Sequence, residues 1–273
     1  MDVVEIKNLS IRSAEGQLLV HDSSFSLESG KTHCLLGESG SGKTLTSKAI
    51  LGMLPADLHM SGDILFRGQN LNLLSKKSWR QIRGKHIGTI FQHPEQALHP
   101  SIPIGRQFSD LMCSHLPISR YEAEKQAEKM LSRVLLKDTA QVMKSYSHEL
   151  SGGMNQRVMI AMALLPKPEV VIADEPTSAL DVTTQAEIIS LLRHLIWDLK
   201  MSMLFITHDL LLSSYLADTI GVMRSGEIIE QGSTERILGR PEHEYTKQLC
   251  RYRSQRILSK GGNSPNAPSS TAL

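Results

Sequence analysis

The chain has 273 residues, is 40% hydrophobic and 21% charged, and carries a formal net charge of +2. That length accommodates a full α/β core of roughly 200–250 residues, alone or with a small subdomain, and the near balance of charge excludes a whole-molecule field that would draw in nucleic acid or an acidic surface. Cys34, Cys113 and Cys250 show neither a C-x-x-C pair nor metal-ligand spacing, which points to a reducing cytosol and away from a disulfide framework.

In chain order, Met1 to Lys7 alternates apolar and polar residues like a strand and lacks a leader pattern. No run reaches the ~18–20 apolar residues that span a bilayer, so a soluble chain is expected, its membrane role supplied by a partner. Val3–Ile11 and Leu18–Leu27 read as a half-exposed antiparallel pair turning near Ala14–Gly16. Thr32–Leu36 is a short buried strand that enters a glycine loop, and Thr44–Leu54 has helical apolar spacing. Ser61–Gly68 reads as a strand, Lys76–Arg83 as a basic helix and His86–Phe91 as a buried strand.

The proline-rich stretch His93–Pro103 reads as loop, and Ile104–His115 and Arg120–Leu136 as helices. Gln92–Glu149 is therefore expected to form a helical insert, and the helical subdomain to run over about residues 93–160 once the following helix begins. Met154–Leu165 is helical, Glu169–Ala173 a strand, Thr183–Leu199 a helix, Met203–Thr207 a strand and Leu210–Ala217 a helix. This alternation predicts an α/β fold with a parallel sheet covered on both faces. A strand pair is expected about Arg224–Glu227, last helices to about Leu258, and a polar, disordered tail from Lys260. The expected division is 1–250 for the main domain and 251–273 for the helix end and tail.

Gly37-Glu38-Ser39-Gly40-Ser41-Gly42-Lys43-Thr44 matches G-x-x-x-x-G-K-[ST] at a strand-to-helix junction. Its glycines let backbone N–H groups converge on phosphate oxygens, and the helix N-terminus adds partial positive charge. Lys43 suits the β- and γ-phosphates of ATP and the Thr44 hydroxyl suits Mg²⁺. Val170–Glu175 ends a buried strand in two acids: Asp174 is placed for the Mg²⁺ shell and Glu175 to orient or deprotonate an attacking water. The Gln92 amide, at another strand end, can reach the metal or that water, and His208, after the Met203–Thr207 strand, can contact the γ-phosphate.

Leu150-Ser-Gly-Gly-Met-Asn-Gln156 lies between the phosphate loop and the acidic pair. Ser151, Gly152 and Gly153 open a helix, so free N–H groups and a hydroxyl make a second anion site. One phosphate loop cannot fill two phosphate-reading surfaces, so two chains arranged head to tail are expected, each Ser-Gly-Gly turn closing over its partner's nucleotide. Ser178–Asp181 follows the acidic pair and is expected to cross the same interface, Asp181 contacting the nucleotide of the partner's site.

This order of motifs resembles the ATPase subunit of an ABC transporter over residues 1 to about 250. Phe91–Pro100, Gly152–Ala163 and Ile172–Asp181 are similar in wording to the ATPases of the oligopeptide, dipeptide and nickel importers. The resemblance implies a P-loop NTPase core of the ABC ATPase kind, with an N-terminal antiparallel β subdomain and an inserted α-helical subdomain. It implies ATP and Mg²⁺ as cofactors, and a second related ATPase as partner, a heterodimer with a homodimer as the alternative. Two integral membrane permease subunits, an extracytoplasmic solute-binding protein and a peripheral position on the cytoplasmic face of the membrane complete what it implies. It further implies that a short helix of the membrane subunit is received at Gln92 and the helical subdomain.

Three departures stand out. The peptide group's cysteine-rich extension after the segment resembling His243–Lys247 is not found, which leans toward the nickel-type branch. No aromatic occurs near Ile11–Ala14, where many ABC ATPases stack adenine, and His93 replaces an acid. His59, His86, His93, His99 and His115 form no i, i+4 pair, so a transported metal is expected to bind elsewhere. Lys76–Lys85 reads as a solvated helix face, not a nucleic-acid patch. Two other classes compete: a soluble ABC ATPase acting on nucleic acid or ribosomes, disfavoured by the lack of tandem ATPase domains, a coiled-coil insertion or a basic arm, and a regulator without turnover, disfavoured by Glu175 and His208.

Overall fold

A computed structural model of the protein describes residues 1–251. The expected helix end near Leu258 and the polar tail from Lys260 lie outside the described residues.

Alternating apolar residues build the first sheet. Strands β1 (Asp2–Ser13), β2 (Leu18–Glu28), β4 (Leu58–Phe66) and β5 (Gln69–Asn70) are antiparallel in the order β2-β1-β4-β5. Ile6 stands opposite Phe25 on one side and Ile64 on the other. The second sheet contains β3 (Thr32–Leu36), β6 (Ile87–Ile90), β7 (Val170–Asp174), β8 (Ser202–Thr207), β9 (Thr219–Arg224) and β10 (Glu227–Ser233). Its order is β10-β9-β3-β8-β7-β6. The five strands from β9 to β6 run parallel, and β10 returns antiparallel along the β9 edge. The sheet is thus mixed where the alternation of strands and helices predicts a parallel one, because a tight turn at Ser225–Gly226 can only reverse the chain.

Strands β3 and β8 are buried at every position, as expected where both faces are covered. Side chains split between the faces with period two. Cys34, Ala173 and Phe205 point to a core shared with the helices, while Leu35, Ile172 and Ile206 point to a second core shared with Ile6, Val20 and Phe25 of the antiparallel sheet. Helices α1 (Lys43–Ile50) and α2 (Lys76–Ile82) contribute to that second core through Ala49, Ile50 and Trp79.

After β6 come α3 (Pro94–Ala97), α4 (Ile104–His115), α5 (Arg120–Arg133) and α6 (Thr139–Lys144), with no strand among them, and then α7 (Gly152–Leu164). Helix α4 buries Ile104, Phe108 and Met112, one side of three successive turns. Helix α5 opens on a capping box, Ser119 Oγ accepting the Glu122 N–H at 3.2 Å while Glu122 accepts the Ser119 N–H at 3.0 Å. Helices α8 (Val182–Asp198), α9 (Leu210–Leu216) and α10 (Thr234–Gly239) follow, and residues 244–251 are helical.

Several boundaries move from those the sequence predicts. Helix α1 stops at Ile50, where the Met53 N–H turns back to the Lys48 carbonyl at 2.8 Å. Strand β4 begins three residues before Ser61, because its pairing with β1 continues to Leu58 opposite Ser13. The loop after His93 contains the one-turn α3 with proline at its first position, where no N–H is missed. Helix α6 has no counterpart in the predicted elements and opens on Asp138, whose carboxylate accepts the Gln141 N–H at 3.2 Å. In α2, Trp79 and Ile82 face inward and Arg83 covers the indole at 5.0 Å, leaving Lys76, Lys77 and Arg80 as the solvated face. Among the described residues no helix is long and apolar enough to cross a membrane.

Candidate nucleotide site

The site lies along the carboxyl ends of four adjacent parallel strands, the edge where open α/β sheets collect ligands. Strand β3 delivers the loop Gly37–Gly42, β8 delivers His208, β7 delivers Asp174 and Glu175, and β6 delivers Gln92, in the spatial order β3-β8-β7-β6. Four segments separated by tens to more than a hundred residues are brought into one row by the topology alone.

The loop is held from behind by the end of β9. A Cβ on Gly37 would lie 2.1 Å from the Met223 carbonyl oxygen, so that contact admits glycine alone. Gly42 takes φ +107 as the N-cap of α1, a conformation L side chains resist. The Gly226 N–H donates to the Ser41 carbonyl at 3.0 Å and fixes the loop from the β9–β10 turn.

Lys43 is 4% exposed, and its ammonium donates to the Gly37 and Glu38 carbonyls at 2.8 Å each. Burial lowers the lysine pKa, opposed by the nearby charges of Glu175, Asp174 and Glu38. The ammonium is therefore desolvated, held by neutral carbonyls and surrounded by acids, a group ready to exchange those carbonyls for phosphate oxygens.

Asp174 accepts the Thr44 hydroxyl at 3.3 Å and the Ser47 hydroxyl at 3.0 Å. Burial raises its pKa, and the two hydroxyls oppose that rise. Ser47 is absent from the site residues the sequence suggests; its signal was available, since it lies one helical turn beyond Thr44 on the same side of α1. A hydroxyl beside a carboxylate, next to a phosphate cradle, is the oxygen donor set Mg²⁺ uses when phosphates complete its shell. Thr44 and Asp174 thus fit the ion. Gln92 turns elsewhere here, to Glu175.

Glu175 takes φ +44, uncommon for a residue with a Cβ, and its N–H donates to the Ile206 carbonyl at 3.0 Å. This kink aims the carboxylate between two neighbours. Its Oε2 accepts the Gln92 amide at 3.4 Å, and its Oε1 lies 3.3 Å from His208 Nδ1. A carboxylate steered by an amide and an imidazole can take a proton from a water facing the phosphate cradle.

The Ser151–Gly153 turn is not brought to this row within the chain. Ser151 caps α7 by accepting the Met154 N–H at 3.3 Å, and the glycines after it abut the start of α8, Thr184 lying 3.2 Å from where a Gly153 Cβ would be. Asp181 is engaged locally, accepting the Thr183 and Thr184 N–H groups at 3.1 and 3.0 Å and the Thr184 hydroxyl at 2.6 Å. Ser151, Gly152 and Asp181 are exposed. The turn thus opens to solvent at Ser151 and Gly152. At the expected adenine position Ile11 is buried and Arg12 and Ala14 are exposed.

Comparison with known proteins places these observations among relatives. A family described as "ABC transporter" matches residues 20–178. The chain is 41% identical over 250 residues to the metal-staphylopine import system ATP-binding protein CntD of Staphylococcus aureus, covering 91% of this chain and 92% of that one. It is 41% identical to the oligopeptide transport ATP-binding protein OppD of Bacillus subtilis, over 89% of this chain and 70% of that one. Among solved structures, cbiO1 of Clostridium perfringens, part of an ABC transporter complex, superposes with a TM-score of 0.76 at 25% identity, over 94% of this chain and 99% of that one. A dimeric ATP-binding cassette in a post-hydrolysis state bound to ADP and Pi superposes with a TM-score of 0.73 at 25% identity, over 85% of this chain and 98% of that one.

Proposed function

Because the chain belongs to the ABC transporter family, we propose that it binds ATP at Gly37–Thr44 and hydrolyses it with Glu175 in a pocket completed by a second ATPase, so energising an importer. It is an ATP-hydrolysing subunit of the importer kind, and relatives are named as import and transport ATP-binding proteins. The observation that supports the residue roles is the single row formed by Lys43, His208, Asp174–Glu175 and Gln92 on adjacent strand ends.

In this reading Lys43 passes from the carbonyls of Gly37 and Glu38 to the β- and γ-phosphates, with the glycine-loop N–H groups around them. Thr44 and Asp174 would hold Mg²⁺, which when bound would neutralise phosphate charge. Glu175 positions a water and accepts its proton, while His208 holds the carboxylate and reaches the γ-phosphate. Gln92 links the carboxylate to the helical subdomain at about residues 93–160, the part of the 1–250 ATPase domain proposed to receive the membrane subunits. The partners proposed are two permease subunits on the cytoplasmic face, a second ATPase that is a relative or a copy, and an extracytoplasmic solute-binding protein. The cargo class proposed is nickel, another metal chelate or a short peptide; relatives at 41% identity are named for metal-staphylopine import and for oligopeptide transport.

Multiple-turnover phosphate release from the full chain with its membrane subunits tests this. Glu175→Gln is expected to cut turnover by about 10²-fold or more while ATP stays bound. Lys43→Ala is expected to weaken ATP binding itself. Turnover retained by Glu175→Gln refutes the role of the carboxylate; ATP affinity retained by Lys43→Ala refutes the cradle.

A further inference from the structure

A phosphate loop that contains an acid has an electrostatic problem. Glu38 follows the first glycine of the cradle, and its carbonyl lies 2.8 Å from the Lys43 ammonium. Its exposed carboxylate is near enough for its charge to act on that ammonium. A triphosphate drawn to Lys43 would meet this carboxylate as a like charge.

The chain places an unused donor behind it. Tyr245, in the helical segment 244–251, is 5% exposed, and its hydroxyl is buried with no partner at hydrogen-bond distance among the described residues. An orphan buried hydroxyl is costly and calls for a reason. The groups facing it are the backbone and carboxylate of Glu38 and the guanidinium of Arg224, the latter lying over the ring at 4.7 Å. Arg224 directly follows Met223, whose carbonyl packs on Gly37.

Tyr245 is also firmly mounted. The Glu230 carboxylate on β10 accepts the Glu242 and His243 N–H groups at 2.8 and 3.1 Å, and His243 Nδ1 accepts the Tyr245 N–H at 3.1 Å. The ring is thus fixed to the same β9–β10 hairpin that holds Ser41 through Gly226.

We propose that Tyr245 is a positioning residue for the phosphate loop: its buried hydroxyl, backed by Arg224, takes the Glu38 carboxylate and turns it away from the path of the triphosphate. The hydroxyl donates to the carboxylate, and no bond is made or broken in the process. The chemistry recognised remains a nucleoside triphosphate; what Tyr245 sets is the affinity of the loop for it. This deepens the reading of Gly37–Thr44 as the cradle and rests on it.

The test is ATP binding and steady-state hydrolysis by the full chain with Mg²⁺, thermal unfolding being followed to check the fold. Tyr245→Phe is expected to weaken ATP binding and raise KM about five- to tenfold, with a smaller effect on kcat, since one freed charge opposes the anion. The penalty is expected to shrink as salt is raised. In the Glu38→Gln background the same Tyr245→Phe change is expected to cost less than about twofold, because no carboxylate remains to be held. A merely structural tyrosine would not be rescued this way. A penalty that persists in the Glu38→Gln background, or a Tyr245→Phe protein that binds ATP like the wild type, overturns the proposal. Lys43→Ala run alongside separates the two failures: loss of binding there with no effect of Tyr245→Phe removes only the role of Tyr245, whereas binding retained by Lys43→Ala removes the cradle and this proposal together.

Discussion

Burial acts on single residues with opposite signs along this sheet. It lowers the pKa of Lys43, against the pull of the surrounding acids, and raises that of Asp174, against the Ser47 and Thr44 hydroxyls. His33, on the same strand as the phosphate loop, has no such opposing charge. It is 4% exposed, stacks on Phe25 with ring centroids 4.9 Å apart, and its Nδ1 lies 2.8 Å from the Thr219 hydroxyl. Burial pushes its pKa from the ordinary 6.5 down to about 4. Below the ordinary value the unfolded chain takes up a proton that the folded chain refuses, so stability falls as pH drops from 6.5 toward 4. Above that window this residue adds no pH dependence. The loss across the window is up to roughly 3 kcal/mol. Urea unfolding at about pH 7.5 and about pH 5 is expected to show a larger drop in stability for the wild type than for His33→Phe, which keeps a ring on Phe25 and cannot titrate. Equal drops would mean that His33 is protonated in the fold.

Between elements, the tightest constraint on the edge of the sheet is the seating of α7 on β6. A Cβ on Gly88 would lie 2.5 Å from the Ala163 carbonyl oxygen and 2.9 Å from Pro168 Cγ. A backbone carbonyl cannot yield as a side chain can, so Gly88→Ala is expected to lose about 1–3 kcal/mol in urea unfolding, although alanine would otherwise stiffen the unfolded chain and stabilise. An unchanged midpoint would show that α7 shifts freely on the sheet. This contact also marks how far the sequence could be read. Gly37–Thr44 was legible because a phosphate cradle is contiguous and announces its own strand and helix. The acidic pair was legible because Val170 to Ala173 gives a buried strand with a marked end. Ser47 was missed as a partner of Asp174 because 127 residues separate them: its place one turn beyond Thr44 puts it on the right side of α1, but only the packing of β7 beside α1 brings the carboxylate to it. Helices α3 and α6 were missed because elements of four and six residues are too short to show an apolar period. Gln92 was found as a strand-end amide, but its partner, Glu175, is set by the pairing of β6 with β7.

At the scale of the whole molecule, the chain has the glycine loop proposed to hold phosphate at one place and, at another, a Ser151-Gly152-Gly153 helix start whose Ser151 and Gly152 are exposed and whose glycines pack beside the start of α8. The two surfaces fit one ligand if a second molecule supplies the missing half of each pocket, the arrangement proposed above. Asp181 is exposed as well and caps the start of α8 within the chain, and its proposed part in the assembly is contact with the partner's ATP. Such an assembly makes a defect in the turn appear at the other chain's ATP. Ser151→Arg leaves Lys43, Asp174 and Glu175 of its own chain intact and places a bulky cation over the partner's γ-phosphate. With a photoreactive ATP trapped after hydrolysis, a dimer carrying Ser151→Arg in this chain alone is expected to lose labelling of the partner while this chain's own Lys43 site still labels. The outcome is read from which polypeptide carries the label, whether the partner is a copy or a relative. Loss of label from the mutated chain with the partner unaffected would place both halves of the pocket in one molecule, and the head-to-tail dimer would have no role in hydrolysis.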